Sequence, residues 1–432
     1  MSEAPDHRAL DHHAPDHRAL DHRALDHRAL DHRALGQRLR LFHQQEEAPG
    51  MVFWHPRGLA LHRLLEEHAR RQLRQDGYRE VRTPQVMSRP LWERSGHWEH
   101  FREGMLVLEE GGRAHAVKPV SCPGHVQLAQ RLAPSYRDLP LRLAEFGVVH
   151  RNEPSGALSG LFRLRQFTQD DGHVFCSEEQ LEAEVARFCA VLRGFYAGFG
   201  FRQVAAAFSG RPAARAGDDA LWDRAEGALR RAAGGAGLAL REQPGEGAFY
   251  GPKLEFALED RLGRAWQCGT LQLDLVMPER FDLGFVARGG ERRRPVMLHR
   301  ALYGSLERFL AVLLEHHGGQ LPPWLAPLQV AVLPAGEGGE AWGAEVAREL
   351  ASRGLRAELD ARDLPLSRRV AEAHETAVPF IVVAGARERP LGRVQLRGRG
   401  DEGPPRQLGL DAAAGWLLDV CRAPAPVVAE AG

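Results

Sequence analysis

Lysine is nearly missing from this chain. Of its 57 basic residues only Lys118 and Lys253 are lysine, and the other 55 are arginine. A compact ammonium and a planar guanidinium are not interchangeable, so the two retained lysines mark positions that call for a point charge. Net charge is missing too: 57 Lys+Arg balance 57 Asp+Glu. That excludes global basicity as a route to nucleic acid and leaves any such partner to local patches. Cysteine is sparse, with five dispersed residues (Cys122, Cys176, Cys189, Cys268, Cys421) and no CxxC pair. This excludes a disulfide framework and points to a reducing compartment. No apolar run approaches the roughly 18–20 residues that cross a bilayer, and the N-terminus carries no signal-peptide core. A soluble, cytoplasmic protein is expected.

What is present points to two folded domains and a tail. At 44 % hydrophobic and 26 % charged residues, 432 residues supply sizeable cores. Residues 1–35 repeat Asp-His-Arg-Ala-Leu at 6–10, 16–20, 21–25, 26–30 and 31–35, with a degenerate copy at 11–15, and hold seven of the 21 histidines. A period of five turns a helix by about 500°, so successive leucines fall about 140° apart and build no apolar stripe. The histidines share no helix face either. A solvated tail, unstructured or loosely helical, is the expectation.

From 36 to 325 the pattern mixes helix and strand. Leu61, Leu64, Leu65 and Leu73 follow helical spacing after Pro56-Arg57-Gly58, with Gly77 placed to end the helix. Tyr78–Val86, Leu141–Val149, Ala248–Leu258 and Gln267–Val276 read as strands, several with polar residues at alternate positions. Few helices separate the later strands, which favours an antiparallel sheet. A further helix is expected over His299–Leu314. After the Pro-rich joint at 321–327, alternating strand and helix over 326–424 predict a small α/β domain, and 425–432 are expected to be loose.

The chemistry concentrates between Phe146 and Cys176. His150-Arg151-Asn152-Glu153-Pro154, a Ser/Gly-rich turn, and Arg163-Leu164-Arg165-Gln166-Phe167 would place guanidinium forks beside an aromatic ring, an arrangement suited to a polyphosphate and a base. Cys122, His173 and His299 are borderline-soft groups of the kind zinc takes, although their spacing forms no local motif.

Longer blocks carry more information. Glu47 to Pro56, Lys118-Pro119-x-x-Cys122-Pro123-Gly124-His125, Phe146-Gly147-x-x-His150-Arg151-Asn152-Glu153-Pro154 and Phe167-Thr168-Gln169-Asp170-Asp171-x-His173 resemble the catalytic core of the threonyl-tRNA synthetases. Tyr250-Gly251-Pro252-Lys253, Trp266-Gln267-Cys268-Gly269-Thr270-x-Gln272-x-Asp274 and His299-Arg300-Ala301-x-x-Gly304-Ser305-x-Glu307-Arg308 extend the likeness in order. It runs from about residue 31 to 420.

The resemblance implies an α+β catalytic domain at 36–325, with a class II synthetase antiparallel sheet flanked by helices. It also implies an α/β anticodon-binding-type domain at 326–424. The implied function is threonine–tRNA ligation: ATP-dependent formation of threonyl-AMP and transfer to tRNA(Thr). Zinc at Cys122, His173 and His299 and magnesium with ATP are the implied cofactors. Arg151, Arg308, His97 and Lys253 are the implied catalytic residues. Glu153, Arg163, Phe167 and Gln267 join Arg151 and Arg308 around ATP, while Gln169, Asp171, Tyr250, Gln272 and Ser305 line the threonine pocket. Glu388 and Arg397 match anticodon contacts, and a homodimer through the helix from Leu59 and the strand bearing Pro84 is implied. Residue 31 already aligns with the linker before the core, so a form without an N-terminal editing domain is expected. Beside this stand a paralogue loading a non-tRNA acceptor, an inhibitor-resistant second copy, and a non-catalytic sensor on the same fold. From residue 326 onward 13 Arg face 15 Asp+Glu, a formal −2, and Asp363-Leu364-Pro365-Leu366-Ser367 replaces the family's Asn-Glu-Lys-x-Gly. Both features weaken the expectation of tight anticodon recognition.

Overall fold

The computed structural model describes residues 30–429. Eight strands form the central sheet: β1 (Arg79–Glu80), β2 (Leu141–His150), β3 (Gln166–Cys176), β4 (Val204–Ser209), β5 (Leu240–Gln243), β6 (Lys253–Glu259), β7 (Ala265–Asp274) and β8 (Val296–Ala301). Their order is β5-β4-β6-β7-β8-β3-β2-β1. Only the outer pairs β1/β2 and β4/β5 are parallel, and the five inner pairings are antiparallel as expected.

Helices α1 (His32–Arg38), α2 (Pro56–Gln75), α3 (Cys122–Leu132), α4 (Leu181–Ala197), α5 (Asp219–Gly235) and α6 (Leu306–His317) accompany this sheet. The α2 helix opens with proline in its first turn, where no intrahelical N–H is lost, and buries Leu61, Leu65, Ala69 and Leu73 at four-residue spacing. Gly77, at φ +77°, takes the chain out of the helix. The α6 helix is apolar nearly all round and is buried from Phe309 through Leu314. Tyr303, Phe309, Phe195 and Phe199 interlock beside it, with ring centroids 4.5–5.9 Å apart.

The second sheet has the order β10-β9-β11-β12-β13, from β9 (Val330–Ala335), β10 (Ala357–Leu359), β11 (Phe380–Gly385), β12 (Arg393–Gly398) and β13 (Arg406–Gly409). Its first three strands are parallel, and β12 and β13 add antiparallel. Helices α7 (Gly339–Ser352), α8 (Leu366–Glu375) and α9 (Leu410–Val420) cover it, over a core that includes Val330, Val332, Trp342, Val382 and Leu417. The Pro-rich joint is held by arginine: Arg356 donates to the carbonyls of Trp324 and Ala326 at 2.7 and 2.9 Å, and Arg399 to that of Leu321 at 3.2 Å.

Four expectations change. His299 does not open a helix: it lies in β8, and α6 starts at Leu306 after Gly304 (φ +78°) turns the chain and the Ser305 hydroxyl caps Arg308 N–H. Of Tyr78–Val86 only Arg79–Glu80 pairs in the main sheet, because Thr83 is drawn aside to bond Glu145. Residues 1–29 of the expected tail lie outside the described residues, yet the last repeat copy is not loose. It forms α1, with Asp31 as its cap and both His32 and Leu35 buried. At the other end, Gln72 donates to Val427 O at 2.9 Å and accepts from Val427 N–H at 2.7 Å, so this part of the expected loose terminus is seated, while 430–432 lie outside the described residues.

One buried ion pair ties α2 to α6. The His62 ring lies 3.3 Å from Glu66 and 3.5 Å from Glu307. Burial disfavours its charge, but hydrogen bonds to Glu307 and Glu66 outweigh that and raise it to about 9. A raised folded-state value stabilises fully below pH 6.5, the unfolded value, and loses its effect as pH climbs through about 9. Wild type should therefore exceed His62→Gln in stability by on the order of 1–3 kcal/mol at pH 6. Chemical denaturation at a series of pH values should show this gap closing by pH 9–10, and a pH-independent gap would contradict the pairing.

Candidate active site

A cavity of about 390 Å³ opens on the central sheet. Strand alternation builds its walls. Phe167, Gln169, Asp171 and His173, every second residue of β3, line it, while Asp170 points the other way and accepts N–H from Leu302, Tyr303 and Gly304 at 2.7–3.0 Å. On β7 the register against β6 shifts at Cys268, so that Gln267 joins Thr270 and Gln272 on the same wall. His299 comes from β8, Arg151 from the end of β2, and Ser305 and Arg308 from the start of α6.

Cys122, His173 and His299 were far apart in sequence and meet here, their ligand atoms within 4.8 Å of one another. Register explains part of this: His173 lies directly opposite His299 across β3/β8. The hydrogen-bond partners then fix the imidazoles. His125 Nε2 lies 3.2 Å from the Glu145 carboxylate, which only accepts, so Nε2 carries a proton, and in the neutral ring Nδ1 is then the acceptor. That acceptor is 2.8 Å from His173 Nδ1, which must donate, leaving a lone pair on His173 Nε2. His299 Nε2 donates to Asp274 at 2.9 Å, leaving a lone pair on Nδ1. The two lone-pair nitrogens face each other at 3.1 Å. A cation between them and the sulfur relieves that repulsion, and the N, N, S donor set with its outer nitrogens held by a carboxylate and a histidine suits zinc. Burial, reinforced by Asp171 and Asp274, pushes the Cys122 thiol well up, so its thiolate also requires a neighbouring positive charge.

Beside this centre, Tyr250 stacks on His299 with ring centroids 4.7 Å apart and donates to Gln272 Oε1 at 2.5 Å. Asp171 Oδ2 is buried with no hydrogen-bond partner, an acceptor directed at whatever enters. Farther along, the Arg151 guanidinium lies 5.1 Å from the Phe167 ring, and burial pushes its pKa down. Arg163 donates to Glu153 at 2.8 Å, and Arg308 donates to Phe162 O at 3.1 Å.

Two expected site residues stand off the cavity wall. His97 is buried against Trp92 and Phe249 and bonded to Ser95 Oγ at 2.9 Å. Burial, with His299 and Arg151 nearby, pushes it down to about 3, so it is a neutral imidazole. Lys253 is paired with Glu255 on β6, opposite Gln272 in register. In the second domain Glu388 accepts from Gln395 at 2.8 Å, and Arg397 donates to Gly403 O at 3.1 Å.

Sequence reasoning marked Lys118 as a position that calls for a point charge but missed its partners behind the wall. Lys118, fully buried, donates to Glu145 Oε1 at 2.8 Å and to Thr83 Oγ1 at 3.1 Å, and Glu145 in turn orients His125. The signal was present, since Lys118 and His125 flank Cys122 within the same block.

Fold and cavity together define the core of a class II aminoacyl-tRNA synthetase. The family described as "tRNA synthetase class II core domain (G, H, P, S and T)" matches residues 105–317, and "Anticodon binding domain" matches 329–419. The threonine–tRNA ligases of Cupriavidus pinatubonensis and Ralstonia nicotianae are each 52 % identical over 366 residues, 85 % of this chain. The chain spans 58 % of the length of each of these relatives. The crystal structure of the RNA binding domain of threonyl-tRNA synthetase from Cryptosporidium parvum is 40 % identical with a TM-score of 0.87, covering 90 % of this chain and 98 % of that one. The chain belongs to the threonyl-tRNA synthetase family.

Removing the buried ammonium strands a buried carboxylate. Lys118→Met should cost about 3–5 kcal/mol, read by chemical denaturation. The double variant Lys118→Met/Glu145→Gln should recover part of that loss, and a Lys118→Met protein as stable as wild type would refute the pairing.

Proposed function

We propose that this chain is a threonine–tRNA ligase, activating L-threonine with ATP and passing the threonyl group to tRNA(Thr). The observation that carries this reading is one cavity joining the Cys122, His173 and His299 cluster to the arginines Arg151, Arg163 and Arg308. An amino-acid site and a polyphosphate site are thereby made continuous.

Zinc held by Cys122, His173 and His299 would supply a Lewis-acid position for the amino and hydroxyl groups of threonine, and magnesium would accompany ATP. The chain's own residues do the rest. Asp171, with its unpartnered oxygen, accepts from the substrate's ammonium or hydroxyl, while Gln169, Tyr250, Gln272 and Ser305 close the pocket around a small side chain. A carboxylate approaching an α-phosphate meets like charge. Arg151, desolvated and therefore strongly interacting, sits between the two and holds them in line. Arg308 grips the γ-phosphate, Phe167 offers its face to the adenine, and Glu153, Arg163 and Gln267 complete the nucleotide site. The carboxylate oxygen bonds to the α-phosphorus, pyrophosphate leaves, and no general base is required. A tRNA ribose hydroxyl then attacks the mixed anhydride and releases AMP. A neutral His97 fits a hydrogen-bonding role in that transfer, and Lys253, on the same face of the sheet as Gln272, would act from beside the wall.

Valine lacks the hydroxyl and leaves the buried polar groups unpaired, whereas serine lacks only a methyl, worth roughly 10–200-fold. The domain at 329–419 would meet the anticodon, with Glu388 and Arg397 as contacts. A homodimer would form through α2 and the segment around Pro84, where Leu59 and Val86 are exposed. The five cysteines are free and buried, in keeping with a cytoplasmic setting. No helix among the described residues is long and apolar enough to cross a membrane.

Threonine-dependent pyrophosphate exchange by zinc-loaded protein is the direct test, and its absence would end the proposal. Cys122→Ala should lose bound zinc, measured by metal analysis, together with at least about 100-fold of exchange activity. Retention of both would overturn the ligand assignment. With purified tRNA, charging by threonine should exceed charging by serine by about 10–200-fold, and failure to charge any tRNA despite exchange would favour a different acceptor.

A further inference from the structure

The last repeat copy ends on the nucleotide side of the cavity. His32, buried in the first turn of α1, has both ring nitrogens engaged: Nδ1 donates to Glu315 Oε1 at 2.7 Å, and Nε2 accepts the backbone N–H of Leu161 at 2.9 Å. Leu161 and its neighbour Phe162 belong to the loop between β2 and β3, and both line the cavity. The imidazole meets the Phe162 ring edge-on at 4.5 Å, and Phe162 stacks on Trp266 at 3.9 Å. The Arg264 guanidinium lies 5.3 Å from the Trp266 ring and pairs with Glu315, which returns to His32. The circuit is closed, and Phe162 O is also the acceptor for Arg308 Nε at 3.1 Å.

Asp31, His32 and Glu315 are close enough to suggest a metal, but their chemistry is already spent. Asp31 caps Arg33 N–H at 2.7 Å and accepts from the Arg33 guanidinium at 2.7–3.3 Å, and neither imidazole nitrogen retains a free lone pair. The loop is built to receive the ring instead. At Gly160 a Cβ would lie 2.2 Å from His32 Nε2. The seat also selects among the repeats. A Cβ at Gly36 would lie 2.4 Å from the Phe42 ring, and only the copy at 31–35 is followed by glycine, the other exact copies being followed by Asp11, Asp21, Asp26 and Asp31.

We propose that His32 is a positioning residue for the nucleotide site. It clamps Leu161 and Phe162 of the β2–β3 loop to Glu315 of α6 and so fixes Arg308. This rests on the ATP-dependent reading above and extends it to a residue outside the cavity.

The test uses the full chain, zinc-loaded, with His32→Ala and His32→Asn. In pyrophosphate exchange the KM for ATP should rise about tenfold in both, the scale of one buried hydrogen bond lost from a site, with the KM for threonine within about twofold of wild type. Asn retains a donor towards Glu315 but no acceptor reaching Leu161, so it should recover thermal stability without recovering the ATP KM. If His32→Ala fails to fold, His32→Asn carries the comparison. Trypsin should cut after Arg163 or Arg165 faster in both variants. Unchanged KM and unchanged cleavage, or equal rises in both KM values, would overturn the proposal. Absence of exchange by wild type would sink the activity reading instead, and the cleavage comparison would still judge the clamp.

Discussion

The register of β8 against β3 is the constraint on which the site depends. Side chains alternate across a strand with period two, so a slip of one residue would turn His299 away from His173 and take Asp171 and Gln169 off the wall together. The register is held from both faces. On the cavity face sit the polar groups, and behind it Asp170 gathers three backbone N–H groups from the turn that follows β8. The same carboxylate thus fixes the turn carrying Gly304 and Ser305, and with it the start of α6. Arg308 therefore inherits its place from a strand pairing several residues away.

A second ordering principle is charge held where water is excluded. Glu145 lies among Lys118, Thr83 and His125. Burial raises its pKa, but bonds from His125, Lys118 and Thr83 outweigh that and bring it down to about 2. An ionised Glu145 is what makes His125 donate through Nε2 and accept through Nδ1, and hence what leaves the inner nitrogen of His173 free. His173 itself is held well below the usual histidine range by burial and by its neighbours His125, His299 and Arg300. The Cys122 thiol, held protonated by burial, must give up its proton when a cation enters, so cation uptake at this site depends on pH. The stability cost of burying Lys118 and Glu145 sets the protonation of a ring two contacts away.

How much of this was legible in the sequence differs by level. The antiparallel pairing of β6, β7 and β8 was, because only the short helix Val276–Arg280 stands between these later strands and none is long enough for a crossover. The cavity residues were legible only through the resemblance. Alternation in Phe167-x-Gln169-x-Asp171-x-His173 shows that these four share a face, but no spacing rule joins them to Cys122 or His299. The misplaced helix start at His299 has a local cause: His299 to Leu302 is too short to show a helix or strand period, and the deciding residues are Gly304, with its positive φ, and the Ser305 cap. The Lys118, Glu145 and His125 network was hidden because it is a contact between a loop, a strand and a helix, visible in sequence only as charged residues that ought to be exposed. The α1 helix was hidden for the opposite reason. A five-residue repeat has no helical stripe, yet one copy needs only two buried side chains, His32 and Leu35, when a seat exists elsewhere in the fold.

The scarcity of lysine can now be argued from contacts. Arginine serves wherever this chain grips through a flat, many-donor face: Arg356 and Arg399 on the carbonyls of the joint, Arg300 against Tyr78 at 4.5 Å, Arg151 beside Phe167. Lys118 is different. Its ammonium lies in a fully enclosed pocket with Glu145 and Thr83 as acceptors. A guanidinium there would bring five donors to two acceptors, and buried donors without partners are costly. Lys253 sits opposite Gln272 and pairs with Glu255, again a short-range point contact. One of the two retained lysines is therefore explained by the protonation chemistry behind the histidine cluster, because only a group of its size and donor count can keep Glu145 ionised without strain. The composition of the chain reflects that local demand: arginine is accepted at nearly every other basic position, and the ammonium is kept where the cavity wall depends on it.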